Sequence, residues 1–216
     1  MRWVISGTGT GIGKTWVGCA VARHALGAGV GCIALKPVES GGDEDARALA
    51  TACMFHVQPS PYTFREAVSP HLAARRAGVR IDLESCRSWV QCQAQGAAHT
   101  LVELAGGLLT PLAPGITNLD LLQKMRPDGW VAVAPDRLGV LHELHALLLC
   151  ARERQLSDPL VVLSESTESD LSTGTNACEL AALGICVVTA TFVRAPPQAP
   201  ATRDAAGRLA HAMRIV

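Results

Sequence analysis

Short, wholly apolar runs alternate with longer amphipathic stretches along this chain. The runs are Trp3–Ser6, Gly31–Lys36, Thr100–Glu103, Trp130–Ala134, Leu160–Ser164 and Ile185–Thr191. They are continuous rather than alternating in polarity, which predicts strands buried on both faces of a parallel sheet. Between them, helical periodicity predicts helices over Thr15–Ala28, Asp45–Phe55, Leu83–Ala97, Leu119–Arg126, Leu138–Gln155 and Ala177–Leu183. Gly29 ends the first, Asp82 caps the third, and a last helix over Thr202–Met213 follows the Pro196-Pro197 break. Strand and helix in alternation predict an α/β fold, a three-layer, doubly wound, mostly parallel sheet. With no repeat, low-complexity tract or linker, one domain over 1–216 is expected.

One stretch breaks the apolar rhythm. Gly7-Thr8-Gly9-Thr10-Gly11-Ile12-Gly13-Lys14-Thr15 lies between the first strand and the first helix. Alternate glycines let backbone N–H groups turn toward an oxyanion, and the following helix adds the partial positive charge of its N-terminus. Lys14 is placed to reach the β/γ-phosphates and the Thr15 hydroxyl to hold Mg²⁺. This is a phosphate-binding loop of the nucleoside-triphosphate kind, and it gives the sheet a P-loop NTPase type. The usual first-glycine position is Thr8; counted from Gly7, five residues precede the Gly13-Lys14 pair.

Composition narrows the function classes. Lysine plus arginine equals aspartate plus glutamate at 19 each, so net charge does not favour nucleic acid or an anionic membrane. No apolar run approaches the roughly 20 residues of a spanning helix. The start leads straight into the loop without a signal peptide, which predicts a cytoplasmic chain. The eight cysteines show no C-x-x-C spacing and are expected to be mostly buried, reduced thiols.

In a doubly wound sheet, ligands sit outside the carboxyl ends of the strands. There the second strand runs into Lys36-Pro37-Val38-Glu39-Ser40-Gly41-Gly42, and the third ends in Glu103 before Ala105-Gly106-Gly107. A carboxylate just after a strand and facing a phosphate loop suits a Mg²⁺ ligand, and Asp45 is a second candidate. His71 reads as a helix-start residue rather than an acid or base. His142 and His145 lack zinc-site spacing, and Arg75-Arg76 reads as a solvated face.

These residues resemble the dethiobiotin synthetase family. The resemblance rests on the long loop, on Lys36-Pro37-Val38-Glu39-Ser40-Gly41, and on Asp45-Ala46-Arg47-Ala48-Leu49. It extends to Pro61-Tyr62-Thr63-Phe64, Ser69-Pro70-His71-Leu72-Ala73-Ala74, Val102-Glu103-Leu104-Ala105-Gly106-Gly107 with Thr110-Pro111-Leu112, and Arg137-Leu138-Gly139. It implies an ATP-dependent ligase joining 7,8-diaminopelargonate and CO₂ through a carbamate and a carbamic-phosphoric anhydride. It further implies that Gly11, Ile12, Gly13, Lys14, Thr15, Trp16, Asp45, Glu103, Ala105 and Gly106 bind ATP and its Mg²⁺. Thr15, Asp45 and Glu103 would be the metal ligands, Thr10, Lys36 and Ser40 would meet the substrate, and Lys36 and Lys14 would act in catalysis. A homodimer is expected.

The chain departs from the family pattern at several positions. Gly9 and Gly11 stand where acidic residues are usual, and Leu104 interrupts the Glu-Gly-Ala-Gly-Gly strand end. His142 replaces a substrate-facing asparagine of the neighbouring subunit. Ser164-Glu165 lacks an adenine-reading asparagine, which predicts weak base discrimination unless Asn176 or the backbone of Thr189–Val193 takes over. A catalytically weakened homologue that binds nucleotide or a partner without turnover is the alternative. A partitioning or metal-trafficking ATPase would carry a second loop lysine where this chain has Gly9.

Overall fold

The computed structural model describes residues 1–53 and 59–216. In chain order its first elements are β1 (Arg2–Gly7), α1 (Lys14–Gly27), β2 (Cys32–Leu35), β3 (Val38–Ser40), α2 (Glu44–Cys53), β4 (Tyr62–Phe64), α3 (Pro70–Arg76), α4 (Leu83–Gln93) and β5 (His99–Glu103). There follow β6 (Pro111–Ala113), β7 (Ile116–Thr117), α5 (Asn118–Met125), β8 (Gly129–Asp136), α6 (Val140–Glu153), β9 (Leu160–Glu165), α7 (Asn176–Ala182), β10 (Val188–Phe192) and α8 (Pro200–Ala212).

Six strands, ordered β10-β9-β8-β1-β5-β2, form the central sheet with every neighbouring pair parallel. The continuous apolar runs are buried as expected: Val4, Ile5, Val102, Val131, Ala132 and Val162 are at most 1% exposed. Helix α1 packs against α2 and α8, α4 against α5, and α6 against β8 and α7. A smaller cluster of Ala134, Val140, Leu144, Val161, Leu163 and Leu180 closes under α6 and α7. Strand order reverses at β1, which has β5 on one side and β8 on the other, and this reversal opens the crevice where such sheets take ligands.

Register then decides which polar residues meet. Ile5 of β1 lies opposite Glu103 of β5, and Leu35 of β2 opposite Val102. The residue after Leu35, Lys36, therefore emerges beside Glu103.

Some boundaries differ from the sequence pattern. The predicted second helix is described only as far as Cys53; its last positions, 54–55, lie outside the described residues. Helix α4 stops at Gln93, ahead of Gly96 at φ 80, and β10 begins at Val188 rather than Ile185. The pairs β3–β4 and β6–β7 were not anticipated, because strands of two or three residues carry no readable period. Cys19, Cys32, Cys53 and Cys86 are buried, and burial pushes the Cys32 and Cys86 thiols up to about 12. Cys92 and Cys178 are exposed, a correction that follows from their places on outward helix faces. Among the described residues no helix is long and apolar enough to cross a membrane.

Candidate functional site

The glycine loop is held by close approaches to neighbouring strands. A Cβ on Gly7 would lie 2.2 Å from the Val133 carbonyl oxygen, so the end of β1 can run against β8 only without a side chain. Gly13, the N-cap of α1, has φ 91, and a Cβ there would lie 2.4 Å from Ser164 Oγ. Helix α1 thus opens with its N-terminal N–H groups at the loop, a ready anion site. Lys14 folds back across the loop, donating from Nζ to the Gly9 carbonyl at 2.7 Å. Burial pulls its pKa down to about 8.

Beside the loop three charged groups meet. Lys36 Nζ donates to Glu103 Oε1 at 2.7 Å and to Asp45 Oδ2. The Thr15 hydroxyl donates to the same Glu103 Oε1 at 3.0 Å. Lys36 and Glu103 side chains are 6% and 1% exposed, whereas Asp45 is 46% exposed. Burial is the largest single influence on Lys36 and would lower its pKa, but Glu103 and Asp45 together carry it above the usual lysine value. Burial likewise pushes Asp45 up, yet hydrogen bonding and charge from Lys36, with help from Thr15, hold it below the usual carboxylate value. Glu103 Oε2 is buried and has no hydrogen-bond partner among the described residues.

The wall beside Asp45 is built by short elements. Strand β3 pairs with β4, Ser40 opposite Phe64, and the Ser40 hydroxyl donates to the Val68 carbonyl at 2.7 Å. Glu39 accepts the Asp45 and Ala46 amides at 2.9 and 3.0 Å, anchoring the start of α2 and so the aim of Asp45. Burial pushes its carboxyl above the usual value despite those amides. The turn after Glu103 is tied by Asn118, whose Nδ2 donates to the Ala105 and Gly107 carbonyls at 2.5 and 2.9 Å. Asn118 was not singled out by the sequence; the one signal available was the capping box of Thr117 and Asp120 that places it at the start of α5.

All predicted positions from Thr10 to Thr15, with Lys36, Ser40, Asp45, Glu103, Ala105 and Gly106, line one cavity of about 590 Å³. Trp16 does not; it lines a second cavity of about 480 Å³ on the far side of the loop, with Arg137, Ser164–Thr167 and Phe192–Ala195. There Glu165 Oε2 accepts the Arg194 amide at 2.6 Å. Asn176 is absent from that lining: it is buried, donating to Asp136 Oδ1 at 2.7 Å, which spends its amide on holding α7 to β8. Of Thr189–Val193, Phe192 and Val193 reach the cavity. Glu143, on α6, ties the start of the loop to Arg137 in the second cavity. It accepts from the Thr8 hydroxyl at 2.8 Å and from Arg137 Nη2 at 2.7 Å.

The other candidates fall outside these cavities or beside them. His71 Nδ1 lies 2.6 Å from Ser69 Oγ at the start of α3, Arg76 pairs with Glu66, and His142 and His145 are exposed on α6. Among the departures, Leu104 is buried in the core, and Gly9 has open space, since the nearest atom to an added Cβ would be Ile12 Cγ2 at 3.8 Å.

Residues 2–193 match a family described as an AAA domain. The ATP-dependent dethiobiotin synthetase BioD of Caulobacter vibrioides is 35% identical over 179 residues, covering 76% of this chain and 80% of that protein. The BioD of Anaeromyxobacter dehalogenans is 35% identical over 188 residues, covering 83% of each. Among solved structures, the MinC:MinD cell division complex of Aquifex aeolicus superimposes with a TM-score of 0.60 at 10% identity, over 99% of this chain and 95% of that one. The cell division ATPase MinD of Pyrococcus furiosus gives 0.59 at 14% identity, over 99% and 98%. At such low identity these two carry the fold alone.

Proposed function

The chain belongs to the ATP-dependent dethiobiotin synthetase family, and from that premise we propose that its loop-side cavity carboxylates 7,8-diaminopelargonate with CO₂ and closes it to dethiobiotin. The observation that supports this most is the Glu103 carboxylate at the foot of the phosphate loop. One of its oxygens is shared by the Thr15 hydroxyl and the Lys36 ammonium, and the other is buried without a partner.

Thr15, Asp45 and Glu103 offer only oxygen donors, as a hard divalent cation requires, and the orphaned Glu103 Oε2 fits such an ion. Mg²⁺ held there would neutralise charge on the triphosphate as the phosphoryl group moves. Lys14 and the loop N–H groups grip the phosphates. Lys36 meets the substrate carbamate, whose oxygen attacks the γ-phosphorus and releases ADP, and it then steadies the anhydride. The second amine attacks the activated carbonyl carbon, loses its proton and expels phosphate. Ser40 and Thr10 border the substrate in the same cavity. Positioning and charge neutralisation suffice, so no protein nucleophile is needed.

The test is a steady-state assay of dethiobiotin and phosphate with 7,8-diaminopelargonate, bicarbonate, Mg²⁺ and ATP. ATP-dependent dethiobiotin is expected; nucleotide binding without product would replace this reading with that of a weakened homologue. We also read the chain as one folding unit and as a cytoplasmic homodimer, which a single unfolding transition and sedimentation at working concentration check.

A further inference from the structure

The three groups that the reading above assigns to a divalent cation already share a cation. Lys36 Nζ donates to Glu103 Oε1 at 2.7 Å and to Asp45, and the same Glu103 oxygen accepts the Thr15 hydroxyl at 3.0 Å. Lys14 points elsewhere, its Nζ donating to the Gly9 carbonyl at 2.7 Å. We infer that Lys36 is the resident counter-ion of the metal site, displaced when a divalent cation enters and thereby delivered to the substrate side of the same cavity.

The physical case rests on charge and space. Buried Glu103 and half-exposed Asp45 share the Lys36 ammonium, so without a cation they would repel, with Glu103 in surroundings that screen its charge poorly. A lysine on a flexible four-carbon stem can supply that charge without being locked in place. A divalent ion attracts the same carboxylates at twice the charge, and it repels an ammonium placed beside it. The displaced amine has room, because Lys36 borders the cavity of about 590 Å³ that Ser40, Ser69 and Thr110 also line. The ammonium leaves Glu103 Oε2 buried and unpartnered, and an ion with more ligand positions can take that oxygen as well. The consequence is an order of events. The positive charge that meets the carbamate becomes free only after the metal is seated, so a substrate arriving first finds Lys36 engaged.

This inference rests on the metal-dependent reading, and the experiment separates the two. The chain has three lysines, Lys14, Lys36 and Lys124, so lysine-selective isotope labelling gives a simple side-chain spectrum. Lys124 pairs with Glu84 at 2.7 Å and serves as the internal bystander. Titration of nucleotide-free protein with Mg²⁺ alone is expected to move the Lys36 side-chain resonance while Lys124 stays still. In parallel calorimetry, Lys36→Met is expected to bind Mg²⁺ about tenfold or more tighter than the native chain. Lys14→Met, which removes a neighbouring charge without vacating the carboxylates, is expected to change affinity less. Mg²⁺ saturation with Lys36 unmoved, or Lys36→Met no tighter than Lys14→Met, would overturn the displacement and leave the metal reading standing. Absence of Mg²⁺ binding in all three proteins would take down both. Should Lys36→Met fold poorly, the native-chain spectrum decides alone.

Discussion

The two cavities that meet at the phosphate loop are made differently. On one side, Lys36, Glu103, Asp45 and Thr15 form a connected set whose most buried members stand at the ends of adjacent central strands. On the other, much of the lining comes from the last residues of β9 and β10 and the chain just beyond them, with Ser164 against the loop glycine and Glu165 holding the Arg194 amide. Strand register fixes the first to within a hydrogen-bond length, because shifting one residue would exchange every partner. The second adds to its strand ends the loop residues Ser166, Thr167 and Val193–Ala195, which can change side chain without disturbing the sheet. The comparison teaches which side of the loop the fold itself specifies. Ser164 lines the second cavity, whereas the Lys36, Asp45 and Glu103 cluster lines the first.

The sharpest way to break this contrast is Lys14→Ala. Removing the loop amine should lower kcat by about 10²–10³-fold while unfolding midpoints stay close to native. A variant that turns over at the native rate would mean the loop does not grip the triphosphate.

Next in size is the metal side. Glu103→Gln should raise the Mg²⁺ midpoint of the assay by about tenfold or more, and Asp45→Asn by less, since Asp45 is half-exposed and more readily replaced by water. Equal and unchanged midpoints in both would make the pair purely structural.

The second cavity should be permissive. The Ser164 side chain is too short to reproduce both the donor and the acceptor that an amide offers a base, and each such bond is worth about 0.5–1.5 kcal/mol. Calorimetric titration with ATP, GTP and CTP should therefore give affinities within about a hundredfold of one another. With Asn176 turned inward to Asp136, a larger preference would assign base reading to backbone groups around Phe192–Ala195.

The smallest effect contrasts two buried lysines. Burial lowers the folded pKa of Lys14 from 10.5 to about 8, so between those values the unfolded chain binds more protons and stability rises with pH. Lys36 has the opposite sign: its raised folded value contributes stability below 10.5 that is lost as pH climbs past it. Denaturant midpoints of nucleotide-free protein should climb from about pH 8 toward 10.5 relative to Lys14→Met. Bound triphosphate should flatten that climb by favouring the charged amine. A parallel pair of curves without nucleotide would mean Lys14 keeps its ordinary value when folded.

Much of this molecule was legible in its sequence for a simple reason: burial on both faces makes each central strand continuously apolar, and that pattern is local. The alternation of strands and helices, the phosphate loop, and Lys36 and Glu103 at strand ends are all statements about neighbours in the chain. What the tertiary structure alone decided concerns partners far apart in sequence. Register, not motif, put Lys36 on Glu103 across 67 residues, and packing set Ser164 against Gly13. The contacts of Asn118 under the 105–107 turn, Glu143 between Thr8 and Arg137, and Asn176 on Asp136 carry no local signature, because an amide or carboxylate on a helix reads the same whether it faces solvent or a distant polar group. Local periodicity reports which face is buried; only the assembled sheet determines what each buried polar group finds there.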